Sequence, residues 1–157
     1  MVNRLQPGLV RISAAAASRG RLVIVTLVWR QSGVRVDDDK SIAVTLATDC
    51  NPAGEMRTAL NEFLKRNQIR DLVLRKGPEK GPYSVRAIQM KLEFLVEHGL
   101  RASVTPVVSS AVGNWLSKHD PELHTKLPDF GKDYRACQFD ALRTGLYALH
   151  VLKGVAA

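Results

Sequence analysis

The end of one short predicted strand carries basic residues at a position where a metal-dependent hydrolase would need acidic ones. Arg75 and Lys76 end a short apolar segment that is typical of a buried strand, and Asp140 is suited to face inward from the last predicted helix. Two-metal phosphodiester chemistry needs several converging carboxylates, because each divalent ion is held by negatively charged oxygen ligands. One acid beside two cations does not meet that requirement, so the sequence predicts no metal site and no cofactor.

A basic segment around the same strand suggests a different chemistry. Lysine and arginine side chains contact phosphates, and a nearby tyrosine can stack on a base. The net charge of +8 is compatible with a polyanionic partner bound through counterion release. The other interpretation is a solvated basic face that Glu79 and Glu93 partly offset. The predicted polyanion-binding residues are Arg70, Arg75, Lys76, Lys80, Tyr83, Arg86 and Lys91.

The remaining candidate residues favour structural roles. Three adjacent acids, Asp37–Asp39, would point to alternate sides of an extended chain, so they predict a solvated turn. Cys50 and Cys137 form no CxxC pair and predict reduced thiols in a cytoplasmic protein. No apolar run reaches the roughly 18 residues of a membrane span. Phe63 and Phe94 occupy apolar positions of predicted helices and are expected in the core.

The elements that would position these residues follow from the hydrophobic period, and residues 1–157 are expected to form one domain. Three strands joined by polar turns predict an antiparallel meander, and later helices alternate with strands that run parallel through right-handed crossovers. The result is a mixed five-stranded sheet with helices on both faces. The predicted strands are Leu9–Ala16, Arg21–Arg30, Ser41–Ala47, Asp71–Lys76 and Ala102–Val108, with Val34–Val36 either extending the second strand or standing alone. The predicted helices begin at Pro52, Ser84, Ser109 or Ser110, and Asp133, and the last ends near Lys153.

This order resembles that of the ribonuclease-H-like superfamily, and the second half resembles its Holliday-junction resolvase branch. The resemblance is carried by Leu72–Leu74 with the Gly/Pro loop after it, by Val104–Val107 with Ser109 and Ser110, and by Asp140–Leu142 with Leu146 and His150. A closer likeness is to a small family of that fold without an assigned function. Its marks here are the basic segment Arg75–Gly81 and Lys91-Leu92-Glu93, and the likeness spans about residues 37–150.

The resemblance implies where metal-binding acids would stand. Active resolvases of this superfamily use acids on the first strand, at the end of the central strand and twice on the last helix. Carried over, these positions fall near Arg11 or Ser13, at Arg75, at Cys137 and at Asp140, and the last alone is acidic. The resemblance therefore implies a relic site of Asp140, Arg75 and Cys137. An ion pair between Arg75 and Asp140 is the favoured role for both side chains.

Three hypotheses follow for the function. The leading one is a ribonuclease-H-like protein without nuclease activity that binds nucleic acid or another polyanion through the 70–91 segment. The second is a nuclease with relocated acids, Glu93, Asp133 and Asp140, around a shared metal pair. The third is an interaction module that forms a homodimer through the sheet or the last helix, with an exposed apolar stripe on Tyr134–Leu149 as its structural sign.

Overall fold

The computed structural model describes residues 8–45, 52–77, 87–119 and 129–155. Within these ranges the predicted order of strands and helices is confirmed, and a π-helical turn, Ala148–Leu152, extends the last helix. Asn51 and Ser84, which the sequence favours as the N-caps of the first two helices, lie outside the described residues, as does most of the Gly/Pro loop. The strands are β1 Val10–Ser18, β2 Arg21–Arg30, β3 Gly33–Val36, β4 Ile42–Thr45, β5 Asp71–Lys76 and β6 Ser103–Val108, and the helices are α1 Pro52–Arg66, α2 Ala87–Gly99, α3 Ser109–Lys118 and α4 Arg135–Tyr147.

The sheet is mixed, as predicted. Its order is β3-β2-β1-β5-β6, with β1 antiparallel to β2 and parallel to β5, and β6 parallel to β5. Arg19 and Gly20 connect β1 to β2 with φ angles of 53° and 79°, which is the positive-φ pair of a type I′ hairpin turn. None of the described helices has the length and apolar character needed to cross a membrane.

Six described strands fill five positions, because β3 and β4 share one edge of β2. Residues 27–30 of β2 pair with β3, and residues 21–24 pair with β4. Val34–Val36 therefore belongs to a separate strand, which settles the alternative left open by the sequence. Between β3 and β4 lies a short 3-10 turn in which Asp38 and Asp39 are exposed, so the predicted solvated turn is confirmed.

The central strand β1 is covered on both faces. Ala14 and Ala16 lie in a core with residues of α4, whereas Ala15 and Ala17 lie in a second core with residues of α1 and α2. All four alanines are at most 1% exposed. Small side chains let helices approach both faces of a strand closely, so this alanine run produces the three-layer arrangement.

A buried hydroxyl network ties the β3–β4 connection to the sheet. Ser13 Oγ and Thr26 Oγ1 lie 2.7 Å apart, and Thr26 Oγ1 also donates to the carbonyl of Lys40. The Thr26 N–H donates to Ser41 Oγ at 3.2 Å, and Ser41 Oγ donates to the Asp37 carbonyl at 2.9 Å. The network fixes Lys40 beside the amino-terminal half of β1.

Replacing Gly145 with valine is expected to destabilise the protein by about 2 kcal/mol through overpacking. A Cβ at Gly145 would lie 2.7 Å from Leu27 Cδ1 and 3.5 Å from the Ala14 Cβ, and both neighbours are fully buried. Urea unfolding would measure the loss. The same substitution at Gly113, where a Cβ would meet no atom within 4 Å, is the matched control. Equal losses at both positions would contradict the close packing of α4 on the sheet.

Candidate functional site at the carboxyl end of the central strands

Arg75 and Asp140 meet at the carboxyl end of β5. Val73 faces the α4 core, and side chains alternate along a strand, so Arg75 emerges on the same face. On α4, Ala141 and Leu142 are buried and place the adjacent Asp140 above the strand end. Arg75 Nη1 lies 3.6 Å from Asp140 Oδ2, with the side chains 24% and 27% exposed. The predicted ion pair is confirmed.

The variant Arg75→Glu is expected to lose about 1–2 kcal/mol of stability. It removes a partly exposed ion pair and places a second carboxylate against Asp140. The charge swap Arg75→Glu/Asp140→Arg should recover part of the loss. Urea midpoints of the two variants and the wild type would measure both effects, and an unchanged midpoint in Arg75→Glu would remove the pair from the stability of the fold.

The placement of the first-strand acid near Arg11 or Ser13 stays a prediction, and Ala16 is the β1 residue that the register brings nearest to Arg75. Ala14 pairs with Val73, so continuing the register places Ala16 level with Arg75 and on the α4 face. Arg11 and Ser13 lie on the opposite face of β1 from Ala16, and both are nearer the amino end of the strand. Ser13 is instead used in the buried bond to Thr26. A fully buried methyl group thus lies level with Arg75 on the face of the sheet that α4 covers.

Cys137 lies one helical turn before Asp140 and is 1% exposed. Its Sγ is 3.7 Å from the Ser18 carbonyl oxygen and 3.6 Å from that of Arg21, at the turn between β1 and β2. Burial, and to a smaller extent the charge of Asp140, raises the pKa of the Cys137 thiol. The thiol therefore stays protonated and is a poor metal ligand, because thiolate is the ligating form.

The raised pKa of Cys137 predicts slow thiol modification and a loss of stability at alkaline pH. The folded state holds this proton more tightly than the unfolded state, so the contribution is full below the unfolded pKa and is lost as pH rises through the folded pKa. Labelling rates against pH, in a Cys50→Ser background, should give a more alkaline midpoint when folded than in urea. Asp140→Asn should lower that midpoint. Equal midpoints in the folded and unfolded protein would refute the prediction.

The described cations of the 70–91 segment do not form one surface. Arg70 precedes β5, roughly 17 Å from Arg75 at the usual strand rise, which corrects the predicted grouping. Lys76 Nζ lies 2.6 Å from Glu97 Oε1 on α2, on the face opposite Arg75. Lys91 is exposed on α2. The remaining predicted members, Lys80, Tyr83 and Arg86, lie outside the described residues.

The relocated acids of the second hypothesis do not converge. Glu93 is 3% exposed, and its Oε2 accepts hydrogen bonds from the Gly77 N–H at 3.3 Å and from Gln89 Nε2 at 2.9 Å. It therefore anchors α2 to the end of β5, on the face opposite Asp140. Asp133 is exposed in a 3-10 turn before α4. Across the described ranges, no three His, Cys, Asp or Glu side chains are grouped to hold a metal.

The exposed apolar side chains do not form the stripe that the third hypothesis expected on Tyr134–Leu149. The outer face of Tyr134–Leu149 carries Phe139 between Arg135 and Arg143, which is not an apolar stripe. Phe94, expected in the core, is 65% exposed on α2 beside the half-exposed Met90, whereas Phe63 is buried as predicted. The apolar residues of α2 do not define one face, so the sequence does not show which of them is buried. In the structure Leu92 and Val96 form the buried face, and Phe94 lies outside it.

The sequence did not identify Ala16 as the β1 residue level with Arg75, nor Glu97 as the ion-pair partner of Lys76. The run of four alanines in β1 was a usable signal, since a strand of small residues indicates cover on both faces. No local pattern connects Lys76 with Glu97, because they come from different elements.

The fold is similar to solved structures of a resolvase. The Thermus thermophilus RuvC structure matches with a TM-score of 0.59 and 11% identity over 92% of this chain and 97% of that chain. A structure described as T. thermophilus RuvC in complex with Holliday junction substrate matches with a TM-score of 0.56 and 12% identity over 90% of this chain and 96% of that chain. No family model and no curated sequence matches. The chain has the ribonuclease-H-like fold, as predicted, and that fold is similar to the fold of RuvC.

Proposed function

We propose that this chain is a ribonuclease-H-like protein that binds nucleic acid and does not cleave it. The observation that carries the proposal is the ion pair between Arg75 and Asp140 at the end of the central strands. It stands where the resemblance to active resolvases places converging acids. Ala16 and the protonated Cys137 complete a set of side chains without the oxygen ligands that magnesium prefers.

Electrostatics opposes a divalent ion at this position. A cation about 4 Å from the Arg75 guanidinium would be repelled by about 4 kcal/mol for each unit of its charge at an effective dielectric near 20. Asp140 offsets part of that repulsion, yet one carboxylate already engaged with an arginine is a weak ligand. Hydrolysis through two metal ions needs them to be held on both sides of the scissile phosphate.

Binding is supported by charge and by fold. The chain carries 23 Lys and Arg against 15 Asp and Glu, and α4 presents Arg135 and Arg143, both exposed, on either side of Asp140. Exposed arginines contact backbone phosphates regardless of sequence. The solved RuvC complex contains a Holliday junction substrate. A branched DNA is therefore the first ligand to test.

The test measures binding and cleavage with the same labelled four-way junction. Fluorescence anisotropy should show binding at 50 mM salt that weakens by at least tenfold at 200 mM, as counterion release requires. No product should form in 10 mM Mg²⁺ or Mn²⁺. Metal-dependent cleavage that Asp140→Asn abolishes would overturn the absence of nuclease activity, and no binding at 50 mM salt would overturn nucleic-acid recognition.

Charge variants locate the interface. Arg135→Gln/Arg143→Gln should weaken junction binding by at least fivefold if α4 faces the phosphates. Arg35→Gln, on an exposed position of β3 at the far edge of the sheet, is the matched control and should bind as the wild type does. An unchanged affinity in the α4 variant would place binding on another surface of the protein.

A further inference from the structure

The sheet opens at the end opposite the relic site. β1 begins at Val10 and β5 at Asp71, yet their pairing consists of Ala14 with Val73 and Ala15 with Leu74. Towards their amino ends the two strands separate and leave a cavity of about 500 Å³ between them. Lys40 and the segment after α1 border it, and Leu152 and Lys153 reach it from the π-helical turn.

The cavity is lined by four cations and one acid. Arg11, Arg70 and Lys153 are exposed at its rim, and Asp71 is the acid. Neither the Arg75–Asp140 pair nor the Lys76–Glu97 pair involves any of these side chains. Like charges gathered around one concave surface raise its potential, and low-dielectric walls focus that potential on a bound anion.

Lys40 is the cation that the fold holds in place. Its Nζ donates to the Asn67 carbonyl oxygen at 3.1 Å, which spans from the β3–β4 connection to the end of α1. Its own carbonyl accepts from the buried Thr26 hydroxyl. A preorganised ammonium group loses less side-chain entropy on binding an anion than a free surface lysine does.

The rest of the lining suits an organic body attached to the anion. Ile12, Ile69 and Leu72 supply apolar wall, while Asn67, Gln68 and Thr105 supply amide and hydroxyl groups. A volume of this size is that of a small-molecule site, and mixed apolar and polar lining is usual for one. Two arginines can bind phosphate oxygens through paired N–H donors, and four cations match a multiply charged group better than one carboxylate.

We infer that this cavity, which we call the β1–β5 cleft, binds a small organic phosphate of nucleotide size. The inference is independent of nucleic-acid binding at α4, because the cleft lies at the other end of β1 and β5. The phosphate would sit among Arg11, Arg70, Lys40 and Lys153, and the organic part would contact Ile12 and Ile69.

The test is a panel of phosphorylated probes with uncharged partners. Thermal shift and calorimetry would compare ADP, AMP and glucose 6-phosphate with adenosine and glucose. At least one phosphorylated probe should raise the melting temperature by about 3 °C or more at 5 mM, while its uncharged partner should not. If none of the three phosphorylated probes binds at 5 mM, the inference is overturned.

Variants then assign the binding to the cleft. Arg11→Gln/Arg70→Gln replaces two exposed side chains and should weaken the binding of that probe at least tenfold, whereas Lys91→Gln, an exposed cation on α2, should not change it. Junction DNA should bind the cleft variant as it binds the wild type. Unaltered probe binding in the cleft variant, or loss of junction binding instead of probe binding, would overturn the inference.

Discussion

A variant that carries Ala16→Asp, Arg75→Glu and Cys137→Asp is expected to bind Mn²⁺, whereas the wild type is not. The substitutions place three carboxylates near Asp140 at the carboxyl end of β1 and β5, where continuing the register brings Ala16 level with Arg75. Without metal, four converging acids repel one another, and Ala16 and Cys137 are buried, so the variant should be less stable than the wild type. A bound Mn²⁺ ion would be coordinated by these carboxylates, and its charge would offset their mutual repulsion.

Metal should stabilise this variant substantially. A ligand present at 100 times its Kd stabilises the folded state by about 2.7 kcal/mol, which is roughly 5–10 °C in Tm for a chain of this size. Melting curves with and without 5 mM MnCl₂ would show the shift, and the wild type should shift by less than about 1 °C.

The control for the metal experiment is the same variant with Asp140→Asn added. It keeps the three new acids and removes the native one, so its Mn²⁺-dependent shift should be smaller. A folded triple variant without any metal-dependent shift would show that these four positions do not form the ancestral site.

The substitution Thr26→Val is expected to destabilise the protein by about 2–4 kcal/mol. Thr26 is fully buried, and its hydroxyl serves both Ser13 Oγ and the Lys40 carbonyl. Valine has nearly the same shape, so packing is kept while the buried Ser13 hydroxyl and the partly buried Lys40 carbonyl lose their partner. Each unsatisfied buried group costs about 1–3 kcal/mol.

A double variant separates hydrogen bonding from packing at this site. Ser13→Ala/Thr26→Val removes both hydroxyls and should be more stable than Thr26→Val alone, because one unsatisfied group is gone. Thr105→Val, on an exposed position of β6, should change the urea midpoint little. A loss in Thr26→Val no greater than in Thr105→Val would mean that water replaces the missing hydroxyl.

The two regions assigned here use the same pair of strands in different ways. At their carboxyl ends β1 and β5 hold the Arg75–Asp140 ion pair beside the exposed arginines of α4. At their amino ends the strands separate, and the cations that line the cleft belong to neither the Arg75–Asp140 pair nor the Lys76–Glu97 pair. Measuring junction binding and organic-phosphate binding separately, in the α4 and cleft variants, tests whether one chain supports both.

Most of the fold was predictable because its signals are local. The bounds of β2 and β5 agree with the prediction, because each strand is a run of β-branched and apolar residues with turn residues before and after it. Pro52 begins α1 as expected, because its fixed φ suits the first helical position. The pair of Arg75 with Asp140 was predictable because the resemblance placed both in one ancestral site.

The sequence alone determined the order of elements, the mixed sheet and the shortage of acids around Arg75 and Asp140. The tertiary structure decided the register of β1 against β5, and continuing that register brings Ala16 rather than Arg11 or Ser13 level with Arg75. It also separated Arg70 from Arg75, placed Glu93 and Asp140 on opposite faces, and opened the β1–β5 cleft. Periodicity along one strand depends on neighbouring residues, whereas register depends on hydrogen bonds and packing between segments far apart in the chain.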